Sequence, residues 1–407
     1  MAFQDYTSFT EVDGASRISV AQNVITISNL DDDEVCYVYK DFGDAYFSAD
    51  FESFFRFKFT LGTGAESIYL AAYANGVGAI PALVAANGDA LWLAWDNGTL
   101  TLAESNSGAV SSETVAGLSL DVEYFVRLAR DENVGTYGTF YLYVYSNRQM
   151  TDLIGSTSVS LTKKTDFRYL YAASGKSTGT GGTALSGTIS YLDLTAHPHT
   201  RKRIREDLKE IIFSTSDRET VDEGFVSAAD LNQWIDDAVA DICVRALCDR
   251  DIDSVSTSNG QRFVSYTGIK VLHVVYNNVG IPQIRETQIG WEQTGETTPH
   301  QWFDDKSQIG VEPLPDGTYS LTLYLADQAP AMTSDYEIPL ILPQFREIIF
   351  FYCMVRWLLK TPFAAMAAQF FNLYLQELRD AMSLTFPDES IEALDETEIP
   401  SASPFKE

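Results

Sequence analysis

The sequence predicts a multidomain protein: an antiparallel β-sandwich followed by an α+β helical domain into which β-hairpins are inserted. Three observations carry this. The chain has 407 residues, and at about 100–200 residues per domain that means two or three domains. Hydrophobic residues make up 45% and charged residues 21%, the composition of a globular protein and not of a disordered one. The hydrophobic period is two as far as about residue 194 and shifts towards 3.6 from about residue 201.

The first part reads as strand after strand. In 51–59, Phe55, Phe57 and Phe59 alternate with Arg56 and Lys58, so one face is apolar and the other charged. Strands are predicted to follow over 68–73, 91–95, 99–102, 124–130, 139–145, 156–161 and 188–194. Turn chemistry separates most of them: Asn75-Gly76, Asn87-Gly88-Asp89, Asp96-Asn97-Gly98, 135–138 and 179–182. No helix is predicted among them. Short strands joined by polar turns describe a sandwich, here over 1–196.

Beyond His197-Pro198-His199 the pattern is helical. Ile204, Leu208, Ile211 and Ile212 form one face of a helix over 201–213. A polar connector over 217–225 follows. Ser227 with Asp230 three residues on is a capping-box variant, opening a helix whose stripe is Leu231, Trp234, Ile235, Ala238, Val239, Ile242, Cys243, Ala246 and Leu247. Period two returns over about 261–326, with strands at 263–266, 271–276, 283–291 and 320–325 and a turn at Pro313, Pro315, Asp316 and Gly317. Pro343 suits the first turn of a helix. The run 345–359 is apolar nearly all round, which requires burial on several sides. A last helix is predicted over 363–382, with Phe371, Leu375, Leu378 and Met382 in one stripe. The second domain thus spans 197–386. Residues 387–407 hold seven acids, one lysine and no periodicity, an extended acidic tail that a partner would order.

Acids outnumber bases by 57 to 28, a formal charge of −29. Such a chain does not grip nucleic acid, because phosphate binding needs Lys and Arg to displace counterions; it can line a passage that DNA must not adhere to. Residues 1–196 carry 23 acids and 11 bases (23 − 11 = 12 negative), and the rest carry 34 and 17 (34 − 17 = 17 negative). Four cysteines, Cys36, Cys243, Cys248 and Cys353, are too few and scattered for a disulfide framework and lack zinc spacing. The N-terminus shows no signal peptide. The greasiest stretch, 348–355, is far short of the roughly 20 residues of a membrane span.

Catalytic and cofactor motifs are missing. There is no Gly-x-Ser-x-Gly, no HExxH and no phosphate loop. Sandwich glycosidases with Glu-x-Asp-x-x-Glu find Glu11 and Asp13 here, but Ser16 where the second Glu should stand. No enzyme and no cofactor is expected. His197 and His199 read as a hinge in preference to a metal site, and Asp31-Asp32-Asp33-Glu34 as a solvated loop in preference to a Ca²⁺ site. Trp92, Trp95, Asp96 and Asn97 cluster at a strand end: aromatic faces beside an amide and a carboxylate are a candidate glycan site.

Two resemblances follow from particular residues. With 122–128 (Val-Glu-Tyr-Phe-Val-Arg-Leu), 140–145 (Phe-Tyr-Leu-Tyr-Val-Tyr) and the closing 186–194, residues 40–196 resemble a laminin-G or concanavalin-A-like sandwich, a lectin-like jelly roll. The helix 227–238 after its linker, the hairpin 313–324, and Ile338-Pro339 to Pro343 before two last helices resemble the head-to-tail adaptors (connectors) of tailed bacteriophages over about 200–385. That resemblance implies a virion structural protein at the head–tail interface, assembled in the host cytoplasm. It implies a ring of commonly twelve copies beneath the portal protein, with a tail or nozzle protein below and the DNA channel continued through its centre. It also implies that the tail docks on the portal, through Pro387, Asp388, Glu389, Ile391, Leu394, Ile399, Pro400 and Phe405. The fused sandwich is a departure from these adaptors, and capsid, tail fibre or a cell-surface glycan are its expected contacts. A lectin with a helical oligomerisation module and, behind it, a polysaccharide-degrading enzyme are the alternatives.

Overall fold

The computed structural model describes residues 3–62, 67–176, 184–214, 226–247, 249–284, 298–305, 308–327, 329–361 and 363–385. The chain divides into two compact units, Met1–Pro198 and His199–Glu407.

In chain order the first unit comprises β1 (Thr10–Asp13), β2 (Ile18–Ala21), β3 (Val24–Leu30), β4 (Cys36–Asp41), β5 (Phe51–Gly62), β6 (Ser67–Ala74), α1 (Ile80–Ala85), β7 (Ala90–Asp96), β8 (Thr99–Asn106), β9 (Ala109–Val115), β10 (Glu123–Asp131), β11 (Thr139–Tyr145), β12 (Leu153–Ser160), β13 (Tyr169–Gly175) and β14 (Leu185–Asp193). They form two seven-stranded antiparallel sheets, ordered β1-β4-β13-β6-β7-β8-β9 and β12-β11-β10-β5-β14-β3-β2. This is the expected antiparallel sandwich. Phe55, Phe57 and Phe59 point inward and are buried, meeting Leu91, Leu93 and Trp95 of the facing sheet in one core. Gly187 is required where β14 crosses β5, since a Cβ there would lie 2.3 Å from the Lys58 carbonyl oxygen.

A helix interrupts the strands after all. The six-residue α1 has Pro81 in its first turn and no side-chain cap at Ala79, so neither length nor capping announces it. Its Ile80 closes a second apolar layer over the outer face of the first sheet, with Ala72, Ala74, Ala90, Trp92, Ala103 and Tyr171.

The second unit begins with α2 (Arg201–Ser214) and α3 (Ala228–Ala246). Strands β15 (Asp249–Ser256), β16 (Phe263–Ser265), β17 (Lys270–Tyr276), β18 (Val279–Ile281), β19 (Gln301–Asp305), β20 (Gln308–Glu312) and β21 (Ser320–Asp327) follow, then α4 (Pro343–Arg346), α5 (Ile348–Leu359) and α6 (Ala364–Thr385). The strands make a four-stranded sheet, β15-β21-β17-β18, and a three-stranded one, β16-β20-β19, around their own core of Val271, Val274, Trp302, Ile309, Val311, Leu321, Leu323 and Leu325. Of the predicted strand 283–291, Gln283 makes a single bridge to Trp302, and 285–291 lie outside the described residues, as do the connector 217–225, Cys248 and the tail 387–407.

Helix α3 starts as the sequence predicts. The Ser227 hydroxyl accepts from the Asp230 amide at 3.1 Å while the Asp230 carboxylate accepts from the Ser227 amide at 2.9 Å. It ends with Leu247 in the left-handed region, φ 49°. The predicted stripe of α3 from Leu231 to Ala246 is buried, and it packs on Ile204, Leu208 and Ile212 of α2, on α5, and on Tyr374, Leu378 and Ala381 of α6. The burial on several sides expected of 345–359 is met within the unit. The all-round apolar helix α5 buries Ile348, Ile349, Tyr352, Cys353, Met354, Val355 and Leu358 among α2, α3 and α6 of its own unit. Its composition therefore needs no neighbouring subunit to account for it. Cys36, Cys243 and Cys353 are buried.

Candidate interaction surfaces

The four candidate glycan residues do not form one surface. Trp92 and Trp95 lie three positions apart on β7, so they face opposite sides of the sheet. Trp95, 1% exposed, is in the sandwich core, its ring 5.5 Å from Phe57 and 5.2 Å from Phe59. Trp92 lies in the layer beneath α1, edge-on to Tyr69 at 6.1 Å. Asp96 and Asn97 are exposed at the β7–β8 turn, where Asn97 (φ 42°) and Gly98 (φ 83°) take the left-handed conformations of a tight hairpin. Their polarity is turn chemistry, and the inward side of the pleat claims Trp95. This corrects the expectation of an aromatic sugar platform at 92–97.

The acidic loop is tied down within the protein. Glu34 pairs with Arg17 at 2.8 Å. Asp32, buried, accepts from the Ser67 amide at 3.1 Å and faces Lys176 at 3.7 Å. Asp13 accepts from the Ile18 amide at 2.6 Å. Among the described residues no group of three or more His, Cys, Asp or Glu is placed to hold a metal ion. At the hinge, the His197 amide donates to Glu52 at 3.3 Å, and burial with nearby Arg346 lowers the His199 pKa.

Sequence reasoning missed the outer face of the second sheet. There Arg127 of β10 and Glu52 of β5, 1% and 8% exposed, form an ion pair at 2.6 Å. The Arg127 guanidinium also lies 5.6 Å from the Tyr143 ring centroid. Phe54 and Phe125 pair across the strands at 6.5 Å and 15°. The one available signal was that Arg56 and Lys58 alternate with the core phenylalanines, which sends aromatic and cationic residues of neighbouring strands to the same side.

Polar bridges lock the helices of the second unit. Arg205 holds Asp335 through two bonds, 2.7 and 2.5 Å. Arg356 pairs with Asp237 at 2.7 Å, and the Tyr374 hydroxyl donates to Asp241 at 2.7 Å. Lys360 spans α5 to α3, 3.2 Å from Asp230 and 4.9 Å from the Trp234 ring centroid. The Ser227 hydroxyl and amide, with Lys360, hold the Asp230 carboxyl down at about 2.

Helix α6 carries exposed apolar residues besides the buried stripe. Met366 (44% exposed) and Leu373 (42%) stand seven residues apart on one side of α6, with Phe363 (59%) just before its first turn and Leu359 (42%) at the end of α5. The sequence analysis singled out only the core-facing stripe; the exposed group became legible once the position of the core was known. The eight candidate portal-docking residues, from Pro387 to Phe405, lie outside the described residues.

The family model described as SU10 adaptor protein matches residues 201–392, a stretch that spans α2 to α6 and is similar to that family. No curated protein matches the chain. Among solved structures, a functionally unknown protein from Saccharomyces cerevisiae is 11% identical with TM-score 0.33, covering 48% of this chain and 99% of that one. An endo-β-1,4-glucuronan lyase from the fungus Trichoderma reesei is 11% identical with TM-score 0.32, covering 49% and 91%. The exoplasmic/lumenal domain of VIP36 is 10% identical with TM-score 0.32, covering 47% and 86%. At these scores none of the three likenesses bears on function.

Proposed function

We propose that the chain is a structural component of a tailed-phage virion: a head-to-tail adaptor whose second unit closes with identical copies into a ring beneath the portal protein. A tail or nozzle protein attaches below, and the sandwich contacts capsid, fibre or a glycan. The adaptor-family match over residues 201–392 supports the class. The observation that carries the ring is the exposed apolar group Phe363, Met366 and Leu373 at α6, with Leu359 at the end of α5: α6 is already anchored by its other face, so these side chains are available to a neighbour. The net charge of −29, multiplied by the copy number, repels phosphates and suits a channel through which DNA passes without adhering. The role is one of binding and assembly, not catalysis.

Electron microscopy of the purified full chain, alone and mixed with portal protein, tests this. A ring with a central hole is expected, twelvefold by resemblance. Uniform monomers under both conditions refute it. Deleting 387–407 is expected to weaken portal docking and leave the fold intact; unchanged docking removes the tail from the interface.

A further inference from the structure

The outer face of the second sheet contains an open recess lined by Phe3, Phe54, Arg56, Phe125, Arg148 and Tyr191. Its construction departs from regular strand geometry. Tyr191 has φ 59°, an outlier for a bulky residue, and strained backbone of this kind persists where surrounding structure holds it in place. The pairing of β14 with β5 shifts register between Ser190 and Asp193. Such a bulge re-aims a side chain, and here it sets the Tyr191 ring 4.1 Å from the Arg56 guanidinium, with Phe3 edge-on at 5.2 Å. Arg56 is fixed in turn by Ser190 at 3.1 Å and Glu123 at 3.2 Å. Arg148, at the rim, makes no hydrogen bond or ion pair with any described residue.

We propose that this recess binds a carboxylated sugar residue, a uronate of a surface polysaccharide. Arg148, together with the Arg56 edge left over from its partners, would take the carboxylate, and the aromatic rings would take the apolar face of the pyranose. An anion is favoured because two guanidiniums face the recess against the single carboxylate of Glu123, and one of them is uncommitted, in a chain whose overall charge is strongly negative. A sugar is favoured over a peptide because the recess lies on the pleated face of β5, β10 and β14. The backbone hydrogen bonds of those strands are spent on their neighbours, so a peptide finds no edge to extend. The proposal rests on the glycan-contact part of the function above and not on the ring.

Binding of oligogalacturonate to the full chain, measured by calorimetry at low salt, tests it beside two controls: the methyl-esterified oligomer and hexaglutamate. Wild type is expected to bind the free uronate, the ester far more weakly and hexaglutamate not at all. Arg148→Gln, an exposed change, is expected to lose affinity about tenfold or more, the scale of one charge-assisted contact. Tyr191→Gly, which relieves the backbone and removes the ring, is expected to lose it while melting no earlier. Absence of uronate binding, equal binding of the ester, binding of hexaglutamate alone, or full affinity in both variants overturns the proposal. Rings without uronate binding leave the adaptor standing and this proposal refuted; uronate binding by monomers does the reverse.

Discussion

The sandwich closes its main apolar core between two sheets, while the second unit has one core among its helices and another between its strands; the apolar side chains left outside are also distributed differently. In the sandwich they are scattered over turns and edge strands: Val35, Tyr46, Val77, Val134 and Tyr137 in connections, Val110 and Ile154 on β9 and β12 at sheet edges. In the second unit Val244, Ile252, Val279 and Tyr324 are scattered likewise, but Phe363, Met366 and Leu373 gather at α6, with Leu359 at the end of α5. Scattered exposure is ordinary, whereas a group of this kind is what a covering neighbour would bury. The ring proposed above rests on that difference.

The change expected to do most damage to that contrast is the double substitution Phe363→Glu and Leu373→Glu. It should abolish rings outright in negative-stain images while the melting temperature holds, because neither side chain is in the core. Rings that persist would move the interface elsewhere. Next come the buried aromatics. Trp95→Ala in the sandwich and Trp234→Ala in α3 should each cost about 3–5 kcal/mol, the range for emptying a buried aromatic site, and each should shift only its own transition in calorimetry. A joint shift would mean that the units unfold together.

Glu52→Gln comes third. It strands the buried Arg127 charge beneath the outer face of the second sheet, and losing one partner of a buried pair costs about 3–5 kcal/mol. Urea midpoints should fall for the sandwich alone. The smallest effect belongs to Asp230→Ala, about 1 kcal/mol for a lost cap, read from the helical transition. The sign of its pH dependence follows from the depressed carboxyl, which is about 2 when folded against an ordinary 3.8. The stabilisation is complete above pH 4 and disappears as pH falls towards 2, so wild type and variant should converge in acid. A gap that widens in acid contradicts the cap.

Strands of period two with polar turns, and helices with caps, were legible because each follows from local pattern. The β5 alternation, the Ser227–Asp230 box and the α3 stripe all appear where the residues predict them. Strands β1 to β4, β9, β13, β15 and β18 to β20 were not anticipated. Burial in β9 is slight, with only Val115 buried, and an edge strand needs little hydrophobic signature. In β13 nearly every residue is buried, so alternation vanishes. The candidate sites fared worse for a related reason. Trp92 and Trp95 are aromatic beside polar residues in sequence, but the pleat sends them to opposite faces. The recess around Tyr191 unites four elements far apart in the chain and depends on a bulge, which no periodicity reveals.

Each unit also contains its own silent reporter. Burial, with nearby Asp13, pushes the Cys36 thiol up to about 12, and burial raises Cys353 as well; thiols held protonated react slowly with alkylating agents. Pulse alkylation followed by mass spectrometry would therefore time the opening of the sandwich through Cys36 and of the helices through Cys243 and Cys353 in a single sample.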